Sequence, residues 1–409
     1  MLEKLRAAFW LVTILCGLCS PAHANTTAVS AAQQATPNAG TMLNGVQVYG
    51  VASPSGAVSS GTTAIAANLV RIALLLPLDS DTLGAAAQAV RNGFETAYQM
   101  DRKNLTVTVI KSGDAPAEVL AAYIDASARH DMVVGPLTRS GFMAIAQRGV
   151  VSKPTIALVQ ADSSYELQTT LPPNLLAMGL SIEDEARQSA IALSADPSMR
   201  TAFVVSGNVA WQKRAARAFS MQWQRQGRNM QSMELSMDAG YVSASGLLQL
   251  RQRLQAENPS LLYAALDAGQ ARQMRSAIGG EVAIYGTSQL NPLPLENNEV
   301  TGVGTELDGV HFLDIPWQLQ ADHPAVMAYP RPVVTADQVR STDLDRLYAL
   351  GIDAYRVASE VAAGRSSFSL DGVTGNLSVS FGMGPARFER LSQPAVYQGG
   401  LVVPVLDVR

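Results

Sequence analysis

Val70-Arg-Ile-Ala-Leu-Leu-Leu-Pro-Leu78 runs directly into Asp79-Ser-Asp-Thr-Leu-Gly-Ala-Ala-Ala-Gln-Ala-Val-Arg-Asn-Gly-Phe94. The first seven residues are almost all apolar, as a strand buried on both faces of a parallel sheet requires. Pro77 ends the ladder, and a short polar loop follows. Leu83, Ala87, Val90, Phe94 and Ala97 then recur at helical spacing and form one apolar stripe. The unit reads as strand, loop and helix. In open α/β sheets, the loop at the carboxyl end of such a strand is where ligands sit.

Outward from that unit the pattern repeats. Residues 105–110 alternate with β-branched side chains, 115–128 read as a helix, 131–134 as a short buried strand, 138–147 as a helix and 154–159 as the next strand. Residues 174–178 read as a crossing. Ser181-Ile-Glu-Asp184 reads as a capping box that opens a helix. Strands and helices then alternate again to about residue 285. Alternating β-α units predict two doubly wound, Rossmann-like α/β lobes with parallel sheets, joined by several chain crossings. The expected division is lobe 1 at 69–177, completed by 305–365, and lobe 2 at 178–290, completed by 366–409.

The amino terminus reads as export machinery. Lys4 and Arg6 precede an apolar run from Ala7 to Leu18, and Ala22-His-Ala24 is a small-x-small cleavage signal. Residues 1–24 are therefore expected to be a cleaved signal peptide and the product periplasmic. Leu18 before Cys19 and Leu15 before Cys16 do not suit lipidation, so an outer-membrane lipoprotein is the less favoured reading. Both cysteines lie in this leader, so the mature chain is expected to lack disulfides. Residues 25–68, rich in Ala, Thr, Ser, Gly, Gln and Asn, read as a flexible low-complexity tether.

Composition narrows the function. A formal net charge of −4 and the absence of any Lys/Arg-rich run argue against nucleic acid as a partner. No stretch of the mature chain approaches the ~20 apolar residues of a membrane span. The chain has no Gly-x-Ser-x-Gly elbow, Ser-x-x-Lys, His-Glu-x-x-His or phosphate-binding loop, and its histidines lack metal-ligand spacing. No catalytic residue, metal site or cofactor is expected.

Candidate residues for an interlobe cleft lie at strand ends. Ser80 sits in the first loop, between Asp79 and Asp81, which would repel a ligand carboxylate. Thr138, Arg139 and Ser140 follow Gly135-Pro136. Hydroxyls and a bidentate arginine there suit a carboxylate, against the plain reading of a helix cap beside a solvated side chain. Gln160, Asp162 and Ser163 occupy the next equivalent loop. Trp211 either walls the cleft or packs in a core. Thr287 and Ser288 are expected at a lobe crossing.

Six segments, in order, carry a family likeness. They are Ile72-Ala-Leu-Leu-Leu-Pro-Leu78 with Gly93-Phe94, Val133-Val-Gly-Pro-Leu137, Gly179-Leu-Ser-Ile-Glu-Asp-Glu-Ala-Arg-Gln188, Asp308-Gly-Val-His-Phe-Leu-Asp-Ile-Pro-Trp317, Leu347-Tyr-Ala-Leu-Gly-Ile-Asp-Ala-Tyr-Arg356 and Gly372-Val-Thr-Gly-Asn-Leu-Ser378. Together they resemble the LppC/LpoA type of penicillin-binding protein activator. The resemblance implies the type I periplasmic-binding-protein fold and a class A penicillin-binding protein, a peptidoglycan synthase, as partner. The better-known members carry an N-terminal helical-repeat domain where this sequence shows only the tether, so it reads as a short form. The alternative is a periplasmic solute-binding protein that closes on an amino acid or similar small polar ligand.

Overall fold

A computed structural model describes residues 69–159, 171–292, 304–332, 341–382 and 384–406. The leader and tether readings and the candidates Gln160, Asp162 and Ser163 lie outside the described residues.

The opening stretch forms β1 (Val70–Leu76), and Ile72 through Leu76 are fully buried. Next come α1 (Gly84–Met100), β2 (Leu105–Lys111), α2 (Pro116–Arg129) and β3 (Met132–Val134). The first block closes with α3 (Arg139–Ala146), β4 (Thr155–Ala157) and β5 (Leu175–Ala177). The five strands make one sheet in the order β2-β1-β3-β4-β5, with every pairing parallel. Residues 174–178 are thus not only a crossing, because Leu175–Ala177 pairs with β4. Leu175 and Leu176 are fully buried, which is what draws so short a segment into the ladder.

The second block runs α4 (Ile182–Ser194), β6 (Thr201–Ser206), α5 (Ala210–Arg225), β7 (Asn229–Glu234), β8 (Met237–Asp238) and β9 (Tyr241–Val242). It continues with α6 (Ala244–Glu257), β10 (Leu261–Ala265), α7 (Ala268–Ile278) and β11 (Ile284–Gly286). Ser181 caps α4 by accepting from the Asp184 amide at 3.1 Å, but the Asp184 carboxylate turns to Arg187 instead of closing a box.

The carboxyl-terminal part is shared. It comprises β12 (Val310–Asp314), α8 (Pro316–Leu319), α9 (Pro324–Met327), the long α10 (Thr342–Ala362) and β13 to β17 (Ser367–Gly372, Gly375–Ser380, Arg387–Leu391, Gln393–Gln398 and Leu401–Pro404). The second sheet has the order β7-β6-β10-β11-β12-β16-β17. It is parallel through β12 and antiparallel at β16 and β17. β13, β14 and β15 form a separate antiparallel sheet. Its Val373, Leu377, Val379 and Phe381 pack into the core of the first lobe. The division expected for 305–365 and 366–409 is therefore corrected. β12 completes the second lobe, α10 and β13–β15 the first, and β16–β17 the second. An apolar strand such as Val310–Asp314 satisfies the exposed edge of β11 whichever lobe precedes it in sequence.

Each sheet is covered on both faces. In the first lobe α1 and α10 lie on one side and α2 and α3 on the other. In the second, α4 and α5 oppose α6 and α7. Helices α1 and α10 cross with almost no separation. A Cβ on Gly351 would fall 2.1 Å from the Val90 carbonyl oxygen, and one on Gly93 1.9 Å from that of Tyr348. Only glycine permits backbones to meet so closely.

Candidate functional site

The chain passes between lobes three times: from β5 to α4 at 178–181, from β12 to α8 at Ile315, and from β15 to β16 at Ser392. Each passage is tied down by hydrogen bonds. Arg390 of β15 donates from Nη1 to the Gly179 carbonyl at 2.6 Å, and from Nε to Thr374 Oγ1 at 3.1 Å. Gln188 of α4 donates to the Arg390 carbonyl at 2.8 Å and accepts from the Ser392 amide at 3.0 Å. Short α8 bridges the lobes, with Trp317 in the core of the first and Leu319 in that of the second. Trp317 also packs against Tyr348, with ring centroids 5.5 Å apart, and under the Arg331 guanidinium, 4.0 Å from the ring.

Between these passages lies a buried polar cluster. Arg346 of α10 donates from Nε to Asp314 Oδ1 at 3.0 Å and from Nη2 to Asp314 Oδ2 at 2.7 Å. Its Nη2 also donates to the carbonyls of Ser288 and Asn291 at 2.9 and 3.0 Å. Asn291 donates to Asp314 at 2.9 Å. Glu185 of α4 accepts from the Ser288 amide at 2.8 Å and from Ser288 Oγ at 3.1 Å. Burial opposes charge on Arg346, yet Asp314, by field and by hydrogen bond, holds its pKa above the ordinary arginine value. Burial pushes the Glu185 carboxyl up to about 8, the Ser288 amide works against that shift, and Asp314 adds to it.

The expected cleft residues are now placed. Ser80 is buried and occupied: its Oγ donates to Asp114 at 2.6 Å and accepts from the Leu83 amide at 3.1 Å. Thr138 caps α3, accepting from the Gly141 amide at 3.2 Å. Arg139 and Ser140 open that helix, half-buried. The Arg139 charge acts on Glu183 of α4, so this strand end of the first lobe lies near the second. Glu183 itself is bound by Arg214 at 2.6 Å. Trp211 is buried in the first turn of α5.

Thr287 caps the 3-10 turn Ser288–Leu290, and Ser288 is held by Glu185. They do not sit at a crossing, because β11 leads back to β12 in the same sheet, but Arg346 ties their loop to α10. The structure brings Ser288 together with Glu185, Asp314 and Arg346, the three residues that sequence reasoning passed over. Ser80, Thr138 and Thr287 spend their hydroxyls on internal bonds. Among the described residues no group of three or more His, Cys, Asp or Glu is placed to hold a metal ion, and no helix is long and apolar enough to cross a membrane.

Two mainly parallel lobes joined by three passages, with strand ends gathered at the junction, define the class of type I periplasmic binding proteins. Solved structures bear this out. One is a protein from Chromobacterium violaceum ATCC 12472 described as a "putative branched-chain amino acid ABC transporter". It has TM-score 0.62 and 33% identity, and the match covers 80% of this chain and all of the other. The C-domain of LpoA from Haemophilus influenzae, described as a regulator of PBP1A, has TM-score 0.62 and 23% identity, covering 82% of this chain and all of that domain. Full-length LpoA from the same organism matches at TM-score 0.63 and 24% identity, over 83% of this chain and 59% of the other. Residues 62–390 match the family described as "LppC putative lipoprotein", and the chain belongs to that family. No curated protein sequence matches the chain.

Proposed function

We propose that this protein is a non-catalytic periplasmic regulator, exported with removal of residues 1–24, that activates a class A penicillin-binding protein. Membership of the LppC family across residues 62–390 carries this reading. The state of the strand-end loops supports it. A receptor for a small polar ligand needs free donors and acceptors converging on the ligand. Here Ser80, Thr138 and Thr287 each serve a neighbouring backbone amide or side chain. The bonds across the passages favour a fixed pair of lobes that presents a surface, and the first surface to test is the outer face of those lobes.

The other reading, a solute-binding protein for an amino acid, draws on the likeness to the Chromobacterium violaceum protein. Binding separates the two. The purified protein titrated onto an immobilised class A synthase should bind saturably, and calorimetric titration with leucine, isoleucine or valine should give no heat of binding. Heat with an amino acid and no binding to the synthase would replace the first reading by the second.

A further inference from the structure

Charge is unevenly placed along the chain. Residues 197–233 carry six cations, Arg200, Lys213, Arg214, Arg217, Arg225 and Arg228, and no acid, while the whole chain has a formal net charge of −4. Four of the six lie on α5, which with α4 covers one face of the second sheet. We infer that the solvent face of α5 is a docking surface for an acidic segment of a protein partner.

Lys213, Arg217, Met221 and Arg225 follow one another at four-residue intervals and so form one stripe along the helix. All four are exposed. The cations around the stripe are already used. Lys213 meets Glu234 at 2.8 Å, Glu183 binds Arg214 at 2.6 Å, and Arg228 donates to the carbonyls of Ser194 and Asp196. Arg217 and Arg225 are different: neither makes an ion pair or a hydrogen bond through its side chain among the described residues. They stand eight residues apart, about 12 Å along the helix axis. An extended segment with carboxylates four residues apart spans about 13 Å and matches them.

The other face of α5 is spent on the core. Ala215, Phe219 and Trp223 are fully buried, and Phe219 stacks on Tyr263 with ring centroids 3.9 Å apart. A helix that lies in a membrane interface sinks its apolar face into lipid, and α5 has no such face free. What it presents is two unpaired guanidinium forks with Met221, 43% exposed, between them. Guanidinium forks pair bidentately with carboxylates, and Arg and Met are the residues enriched where proteins meet. Helix α4 runs alongside, because Glu183 in its first turn meets Arg214 and its last residue, Ser194, meets Arg228. It adds Ile191, 51% exposed, to the same layer. One exposed ion pair contributes little. The attraction comes from a row of cations facing a row of carboxylates, and salt screens it.

The test is a fluorescence-anisotropy titration of labelled decaglutamate with the full chain, beside co-sedimentation with vesicles of three parts phosphatidylethanolamine to one part phosphatidylglycerol. The wild type should bind the peptide saturably, with an affinity that falls as salt rises from about 0.05 to 0.5 M, and should not sediment with the vesicles. Arg217→Glu with Arg225→Glu should weaken peptide binding at least about tenfold. Arg148→Glu with Arg251→Glu, an equal change of charge at exposed positions on other elements, should leave it nearly unchanged, and melting curves should show both double variants folded. Equal weakening in the two double variants would assign the binding to overall charge and overturn the inference. So would a wild type that ignores the peptide, or one that sediments with the vesicles unless Arg217 and Arg225 are reversed, since the surface would then serve a membrane.

Discussion

Arg346 of α10 closes a two-pronged bond on Asp314 of β12, so the longest helix of the first lobe is locked to the strand end of the second. Removing one partner of such a buried pair strands the other charge. Arg346→Ala should cost about 3–5 kcal/mol in a urea denaturation series. Arg346→Lys should recover little, because an ammonium cannot reach both carboxylate oxygens and two carbonyls at once.

Gly351→Ala places a Cβ against the Val90 carbonyl, an atom of backbone that cannot swing aside. The two helices must separate, and overpacking of this kind costs about 1–3 kcal/mol. A melting curve should show the loss. A substitution at Gly149, whose Cβ would meet no atom within 4 Å, reports only the strain of a φ of +72°.

Fully buried Asp353 organises the turn between β13 and β14. It accepts from the amides of Val373 and Thr374 at 3.1 and 2.8 Å and from Thr374 Oγ1 at 2.6 Å. Asp353→Asn turns one acceptor into a donor facing donors. The expected loss is about 3 kcal/mol, with amide protection disappearing first at Val373 and Thr374.

Arg71 and Asp131 fasten the start of β1 to the start of β3, with both guanidinium bonds at 3.0 Å. The pair is exposed, so its contribution is small. The arginine hydrogen bond holds the Asp131 carboxyl down to about 2. A depressed carboxyl contributes stability above its ordinary value near 4, and that stability is lost as pH falls toward 2. Arg71→Ala should flatten this part of the acid dependence in acid-denaturation curves, lowering stability above pH 5 by the small contribution of the pair and leaving it unchanged near pH 2.

Much of this architecture is legible in the chain. The apolar run at Val70 and the stripe from Leu83 to Ala97 read directly as β1 and α1, because burial on two faces or one leaves different periods. Leu175–Ala177 escaped because three residues carry no period. The strand at Val310 was given to the wrong lobe because its alternation fits the edge of either sheet. Glu185 lies in the first turn of α4 beside Glu183 and Asp184, where the helix terminus alone accounts for an acid. Its position was nonetheless detectable: it lies one turn before Ser189 on the side of α4 that Ala186 and Ala190 bury, where a solvated acid does not belong. Arg346 and Asp314 are 32 residues apart and meet only through the fold.

The proposed role is action on a cell-wall synthase. The most direct measurement is the rate of peptidoglycan synthesis by a purified class A penicillin-binding protein, with and without equimolar protein. The rate should rise severalfold and saturate with protein concentration, and fall back with an Arg346→Ala variant shown by melting to be folded at the assay temperature. A synthase rate unchanged at saturating protein would contradict it.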